Sequence, residues 1–161
     1  MLQRPTGFNL LPPIIKNLLI INGLGFLALL AFKNTFGYDI NQHWGLYLPF
    51  VSPNFNPFQI VTHMFLHANF SHILFNMFAL WMFGNSLENY WGPKKFLTFY
   101  MVSGLGAALC HSAVNYYEYS EIVSQLSPEA IAMVKSEGFS ILQEGQNYTD
   151  PLLGKLNLLL S

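Results

Sequence analysis

The sequence predicts an all-α polytopic membrane protein. Charged residues make up 9% of the 161 residues, whereas soluble domains carry about 25%. No Asp, Glu, Lys or Arg occurs in the 48 residues between Asp39 and Glu88, and aromatic residues reach 16% of the chain. So few charges cannot cover the surface of a soluble domain. Several apolar segments also approach the length of a membrane-spanning helix.

Residues 14–32 are predicted to form the first span. The run "NLLIINGLGFLALLAF" lies between Lys16 and Lys33, and with the residues before it approaches the roughly 20 residues that a span needs. A cleaved signal peptide fits less well, because further apolar segments follow. We therefore expect a retained helix, preceded by a short leader at residues 1–12.

Residues 33–69 are predicted to be a membrane-associated loop. Prolines at positions 49, 53 and 57 exclude one continuous helix. The loop is rich in residues that favour the membrane interface, namely Trp44, Tyr47, Phe50, Phe55 and Phe58. We expect it to lie in or on the outer membrane surface.

Two further spans are predicted at residues 70–90 and 96–117, with a Gly-Pro turn at Gly92 between them. In the third span, the segment "SGLGAAL" repeats small residues at i and i+4, which lets helix backbones approach closely in a membrane. Residues 118–161 are predicted to be a polar outer loop followed by an apolar stretch too short to span. Within the loop, Ser127 and Pro128 predict the start of a short surface helix.

The distribution of Lys and Arg favours a cytoplasmic N-terminus. With that orientation the inner side carries Arg4, Lys16, Lys94 and Lys95, and the outer side carries Lys33, Lys135 and Lys155. The formal net charge of −1 gives no support to nucleic-acid binding, which requires a basic face.

His72 and Asn76 are the candidate functional residues of the second span. They lie four residues apart and therefore project from one face of a helix. Polar groups at this depth normally face a bundle interior or a water-filled cavity. Both side chains can donate hydrogen bonds without a formal charge, which suits the stabilisation of a developing negative oxygen. The alternative is that they bind neighbouring helices for structural reasons alone.

Much of the sequence, from about Lys16 to Leu109, resembles the first half of the rhomboid intramembrane serine proteases. The matching features are a His-x-x-x-Asn pair at the start of the second span, a Gly-x-x-x-Glu pair, and a glycine before the third span: His72 and Asn76, Gly84 and Glu88, and Gly92. The resemblance implies that the predicted spans are the first three of a six-helix bundle around a wet cavity that opens to the outer face.

The resemblance also implies roles for individual residues. His72 and Asn76 would stabilise the oxyanion, and His67 would lie near the mouth of the cavity. Glu88 would be structural, pairing near the inner membrane surface. The implied partners are transmembrane protein substrates and the lipid bilayer, and the implied location is the bacterial inner (cell) membrane. No metal or organic cofactor is implied.

The sequence departs from the family in lacking the nucleophile motif Gly-x-Ser-Gly. The nearest look-alike, at Ser103, lies in the packing sequence of the third span. Ser103 and His111 are separated by eight residues, about 12 Å along a helix, which is beyond hydrogen-bond reach. We therefore expect the sequence to be the N-terminal half of a rhomboid protease, with the catalytic serine and histidine missing.

Two other functions remain open. A catalytically inactive rhomboid-like protein would bind transmembrane clients without cutting them. A membrane metal site could use His63 and His67, also four residues apart, together with His72. Metal ligation requires three or four converging ligands, and no Cys or carboxylate lies near these histidines in the sequence.

Overall fold

The computed structural model describes residue 7 and residues 9–160, in which every regular element is helical. In chain order the helices are α1 (Pro13–Phe36), α2 (Ile40–Trp44), α3 (Gln59–Thr62), a 3-10 turn (His63–Phe65), α4 (Phe70–Ala79), a π-helical stretch (Leu80–Gly84), α5 (Asn85–Trp91), α6 (Pro93–Val123), α7 (Pro128–Gln143) and α8 (Pro151–Leu160). The chain forms two compact units. Unit 1 contains the described residues up to 41 and residues 65–104, and unit 2 contains residues 42–64 and the described residues from 105 onward.

Among the described residues, two helices are long and apolar enough to cross a membrane: α1 with 24 residues and α6 with 31 residues. The second predicted span is helical from Phe70 to Trp91, but the π-helical stretch separates α4 from α5. That the chain has three spans, and the residues at which each one begins and ends, therefore stay predictions. Arg4, which entered the prediction of orientation, lies outside the described residues.

In unit 1, a side chain from α5 caps the start of α1. Pro12 at the N-cap makes no side-chain hydrogen bond. Instead the Glu88 carboxylate accepts hydrogen bonds from the backbone N–H groups of Ile14 at 2.9 Å and Ile15 at 2.8 Å. Its negative charge also complements the positive end of the helix dipole. Glu88 is 2% exposed and forms no ion pair with another described residue, so the contacts that it makes are those at the start of α1.

Two glycines of unit 1 have different structural roles, one in close helix packing and one in a turn. A Cβ atom on Gly84 would lie 2.6 Å from Cδ1 of Ile15 and 3.1 Å from Cζ of Phe96. Ile15, Phe96 and Leu18 form the buried apolar cluster of this unit. Gly92 has a φ of +83°, a conformation that favours glycine, and it makes the turn from α5 into α6. Gly84 thus permits close packing, Glu88 caps α1, and Gly92 makes a turn.

In unit 2, one buried amide organises the loop between α2 and α3. Gln59 is 1% exposed, and its Nε2 donates to the backbone carbonyls of His43 at 3.1 Å and Asn54 at 3.0 Å. Its Oε1 accepts from the backbone N–H of Asn56 at 3.0 Å. No continuous helix runs through residues 33–69: α1 ends at Phe36, and the short helices α2 and α3 and the 3-10 turn follow. The predicted position of the loop at the membrane surface stays a prediction.

The region after the third predicted span is more helical than expected. The α6 helix continues to Val123 instead of ending near Tyr117. The start of the surface helix is confirmed: the Ser127 hydroxyl accepts a hydrogen bond from the backbone N–H of Ala130 at 3.3 Å, with Pro128 as the first helical residue. Helices α6, α7 and α8 share a buried apolar cluster made of Ile122, Val134, Leu156 and Leu160.

Gly138→Ala is expected to destabilise unit 2. A Cβ atom at this position of α7 would lie 2.1 Å from Oδ1 of Asn157 on α8. Asn157 is fully buried and donates to Oδ1 of Asn147 at 3.1 Å, so it cannot turn away without losing that hydrogen bond. Overpacking of this kind costs about 1–3 kcal/mol. Thermal unfolding in detergent measures the effect.

The matched control is Gly106→Ala on α6, because a Cβ atom there meets nothing within 4 Å. Alanine also has the higher helix propensity, so this variant should unfold at or above the wild-type temperature. Equal unfolding temperatures for the two variants would contradict the packing argument.

Candidate functional site

The candidate site begins at the N-terminus of α4, which Asn69 caps. The Asn69 backbone is extended (φ −157°, ψ 171°) and its side-chain oxygen accepts a hydrogen bond from the backbone N–H of His72 at 2.9 Å. Asparagine is a preferred N-cap residue for this reason. This cap was not predicted from the sequence, although an asparagine three residues before the histidine was the available signal. The cap fixes the backbone of His72 in the first turn.

His72 and Asn76 lie one turn apart on α4, as predicted. Both are exposed, and neither side chain forms a hydrogen bond to another residue in the part of the chain that the structure describes. The structural alternative, in which these side chains bind neighbouring helices, therefore has no support within unit 1. The imidazole and the carboxamide remain available as hydrogen-bond donors to a ligand.

His67 lies directly beside His72 but is buried. The residue is 2% exposed, and its ring meets the ring of His72 edge-on, with the centroids 5.1 Å apart and an interplanar angle of 65°. Nδ1 of His67 is buried and has no hydrogen-bond partner among the described residues. The structure therefore places His67 against His72 and leaves its predicted role near a cavity mouth a prediction.

Burial lowers the pKa of His67, and the neighbouring His72 lowers it further through charge repulsion, while the backbone carbonyl of Phe65 has a smaller, opposite effect. His67 precedes α4 and lies outside the predicted spans. A lowered pKa keeps the His67 ring neutral at pH 7. The ring can then pack against His72 without placing a positive charge beside it.

Acidification is expected to destabilise the protein through His67. Because the folded-state pKa lies below the unfolded value of 6.5, the unfolded state binds more protons as the pH falls. The stabilisation that the neutral His67 ring contributes is complete above pH 6.5. It is lost as the pH falls from there toward the folded-state pKa of His67. Unfolding temperatures measured between pH 7.5 and pH 5 should therefore fall less steeply for His67→Gln than for the wild type.

His111→Gln is the control for this pH dependence. His111 is exposed on α6 and its ring contacts the Asn115 carboxamide at 3.2 Å. This variant should keep the wild-type pH dependence. A wild-type slope in His67→Gln would show that another group causes the acid sensitivity.

Two other residues considered in the sequence, His63 and Ser103, are described by their own surroundings. His63 belongs to unit 2, where its Nδ1 lies 2.8 Å from the backbone carbonyl of Gln59. Within residue 7 and residues 9–160, no group of three or more His, Cys, Asp or Glu side chains could hold a metal ion. Ser103 is exposed on α6. The chemistry that the site offers is hydrogen-bond donation from His72 and Asn76.

Comparison with known proteins gives an independent view of this region. A family model described as Rhomboid domain matches residues 54–145, which include the three residues of the site. Rhomboid protease AarA of Providencia stuartii is 44% identical over 57 residues, which are 35% of this chain and 20% of that protein. Rhomboid protease GluP of Bacillus subtilis (strain 168) is 29% identical over 59 residues, which are 37% of this chain and 12% of that protein. The chain thus matches less than a quarter of the length of either relative. No solved structure matches.

Proposed function

Because the chain belongs to the rhomboid family, we propose that it contributes to an intramembrane serine endopeptidase in which His72 and Asn76 stabilise the oxyanion. The observation that carries this proposal is the pair itself: two exposed donors one turn apart on α4, with the helix start fixed by Asn69. The names of the matched relatives, both rhomboid proteases, support the same reaction.

In this reaction a serine hydroxyl adds to the scissile carbonyl carbon of a transmembrane substrate. The hydroxyl proton passes to a base, and the carbonyl oxygen takes the negative charge. His72 and Asn76 donate hydrogen bonds to that oxygen in the transition state, where preorganised donors have their largest effect. His67 positions the ring of His72 by packing against it. No Gly-x-Ser-Gly motif occurs among the 161 residues, so we propose that the serine and its base come from sequence outside them.

The family and the two long apolar helices indicate an integral membrane protein. We propose the bacterial inner membrane as its location, with the N-terminus on the cytoplasmic side. Its partners there are transmembrane protein substrates and the surrounding lipid. A substrate segment that unwinds easily is favoured, because the carbonyls of a regular helix are already hydrogen-bonded and shielded.

The same missing motif favours one alternative function. A catalytically inactive rhomboid-like protein would bind transmembrane clients and release them uncut. The exposed donors on α4 argue against this alternative, since a client-binding protein has no chemical use for an oxyanion site.

Sequencing the coding region beyond codon 161 and assaying the natural gene product tests the two functions. Intramembrane proteolysis predicts an open reading frame with a Gly-x-Ser-Gly segment and a later apolar segment that contains a histidine. It also predicts cleavage of a transmembrane reporter, with loss of activity after treatment with a serine-reactive fluorophosphonate. A stop codon directly after Ser161, with reporter binding but no cleavage, would favour the client-binding protein.

A further inference from the structure

One side of α6 forms a shallow groove near the end where the helix begins. The groove has a volume of about 440 Å³ and is lined by Lys94, Lys95, Thr98, Phe99 and Val102, which recur at i and i+4 along the helix. The two lysines lie at one end of this α6 groove. Its apolar side chains follow along a helix that is long and apolar enough to span a membrane.

The positive charge of the α6 groove is not neutralised within unit 1. Lys94 and Lys95 are exposed, and neither forms an ion pair with another described residue. The acidic side chain that precedes them on α5, Glu88, is buried with both oxygens bound to backbone N–H groups of α1. Lys16 is a further exposed cation in unit 1. It follows Ile15, whose backbone N–H donates to Glu88. This end of unit 1 therefore favours an anionic ligand.

Phe99 of the α6 groove belongs to an aromatic pair. The ring of Trp91, just before α6, packs edge-on against the ring of Phe99, with the centroids 5.2 Å apart and an interplanar angle of 74°. Tyr90 beside it is 87% exposed. Trp and Tyr are enriched at the headgroup level of membranes. Along α6 the two lysines precede Phe99, and Val102, which is 62% exposed, follows it within the apolar part of the helix.

We propose that the α6 groove binds an anionic phospholipid from the leaflet in which α6 begins. The ammonium groups of Lys94 and Lys95 contact the lipid phosphate, and an acyl chain lies along Phe99 and Val102. Basic pockets on transmembrane helices bind anionic headgroups in this way. With the N-terminus on the cytoplasmic side, the leaflet is the cytoplasmic one. A free phosphate ion would leave the apolar part of the groove unused, so the complementary ligand is a lipid. This site is independent of the proteolytic function.

Lipid binding can be measured through the fluorescence of Trp91. In the whole chain with Trp44→Phe and Trp81→Phe, brominated phosphatidylglycerol and brominated phosphatidylcholine are titrated separately in neutral detergent micelles, and quenching gives an affinity for each. A lysine near an anionic headgroup contributes about fivefold in affinity. Two lysines therefore predict a preference for phosphatidylglycerol of about 30-fold.

Paired variants with equal charge loss separate the α6 groove from general charge effects. Lys94→Gln/Lys95→Gln should abolish the preference for phosphatidylglycerol, and Lys94→Arg/Lys95→Arg should retain it. Lys33→Gln/Lys135→Gln removes the same amount of charge from α1 and α7 and should also retain it. Circular dichroism confirms that each variant keeps its helix content. An undiminished preference in Lys94→Gln/Lys95→Gln would overturn the lipid site. Displacement of phosphatidylglycerol by inorganic phosphate at equal concentration would also overturn it, since the ligand would then be the phosphate alone.

Discussion

Asn76→Ala is expected to lower the kcat of the natural gene product on a transmembrane substrate by about 10²–10³-fold, the effect of removing one oxyanion donor in a serine hydrolase. The donor acts on charge that exists only in the transition state, so KM should change little. Asn76 is exposed and holds no other described residue, so the fold should be retained. Initial rates in proteoliposomes over a range of substrate concentrations separate kcat from KM.

Asn17→Ala is the matched control. Asn17 is an exposed asparagine on α1, so the substitution makes the same chemical deletion on another helix of unit 1 and should leave the rate unchanged. An Asn76→Ala enzyme that cuts at the wild-type rate would remove the oxyanion role of Asn76. A fall in KM that accompanies the fall in kcat would instead indicate relief of ground-state strain.

The local features of the site could be predicted from the sequence. The i, i+4 spacing of His72 and Asn76 determines that they share one face of a helix, and α4 places both side chains on its exposed surface. The start of α7 followed from the Ser-Pro pair at Ser127 and Pro128, because an N-cap hydroxyl and a proline at the first helical position act within one turn. Such signals depend only on neighbouring residues.

Contacts between distant residues could not be predicted in the same way. Glu88 binds backbone groups 73 and 74 residues earlier in the chain, and no pattern in the sequence specifies which helix terminus an isolated carboxylate will cap. The burial of His67 beside His72 could not be predicted either, since a histidine in a turn can as easily face solvent. The π-helical stretch between α4 and α5 also has no proline or glycine cluster that would predict it.

Glu88→Ala is expected to destabilise unit 1 by about 2–6 kcal/mol, because it leaves two backbone N–H groups without acceptors and each costs about 1–3 kcal/mol when buried. These N–H groups belong to Ile14 and Ile15, and Ile15 is completely buried, so water cannot easily replace the carboxylate. The loss of a negative charge at the positive end of α1 adds to the effect. Unfolding in mixed dodecyl sulfate and neutral detergent micelles measures the free-energy change.

Glu88→Gln tests whether hydrogen bonding or side-chain volume is responsible. Glutamine has nearly the same shape, but it keeps one acceptor oxygen and directs an NH₂ group toward the second N–H. Its destabilisation should be about half that of Glu88→Ala if each N–H group contributes separately. Glu144→Gln, at an exposed position after α7, should have no effect.

The N-terminal segment is also held by Asn85, which donates to the carbonyl of Leu10 at 2.7 Å. Hydrogen exchange in Glu88→Gln should therefore accelerate most at Ile14 and Ile15, and uniform acceleration across α1 would contradict a local capping role.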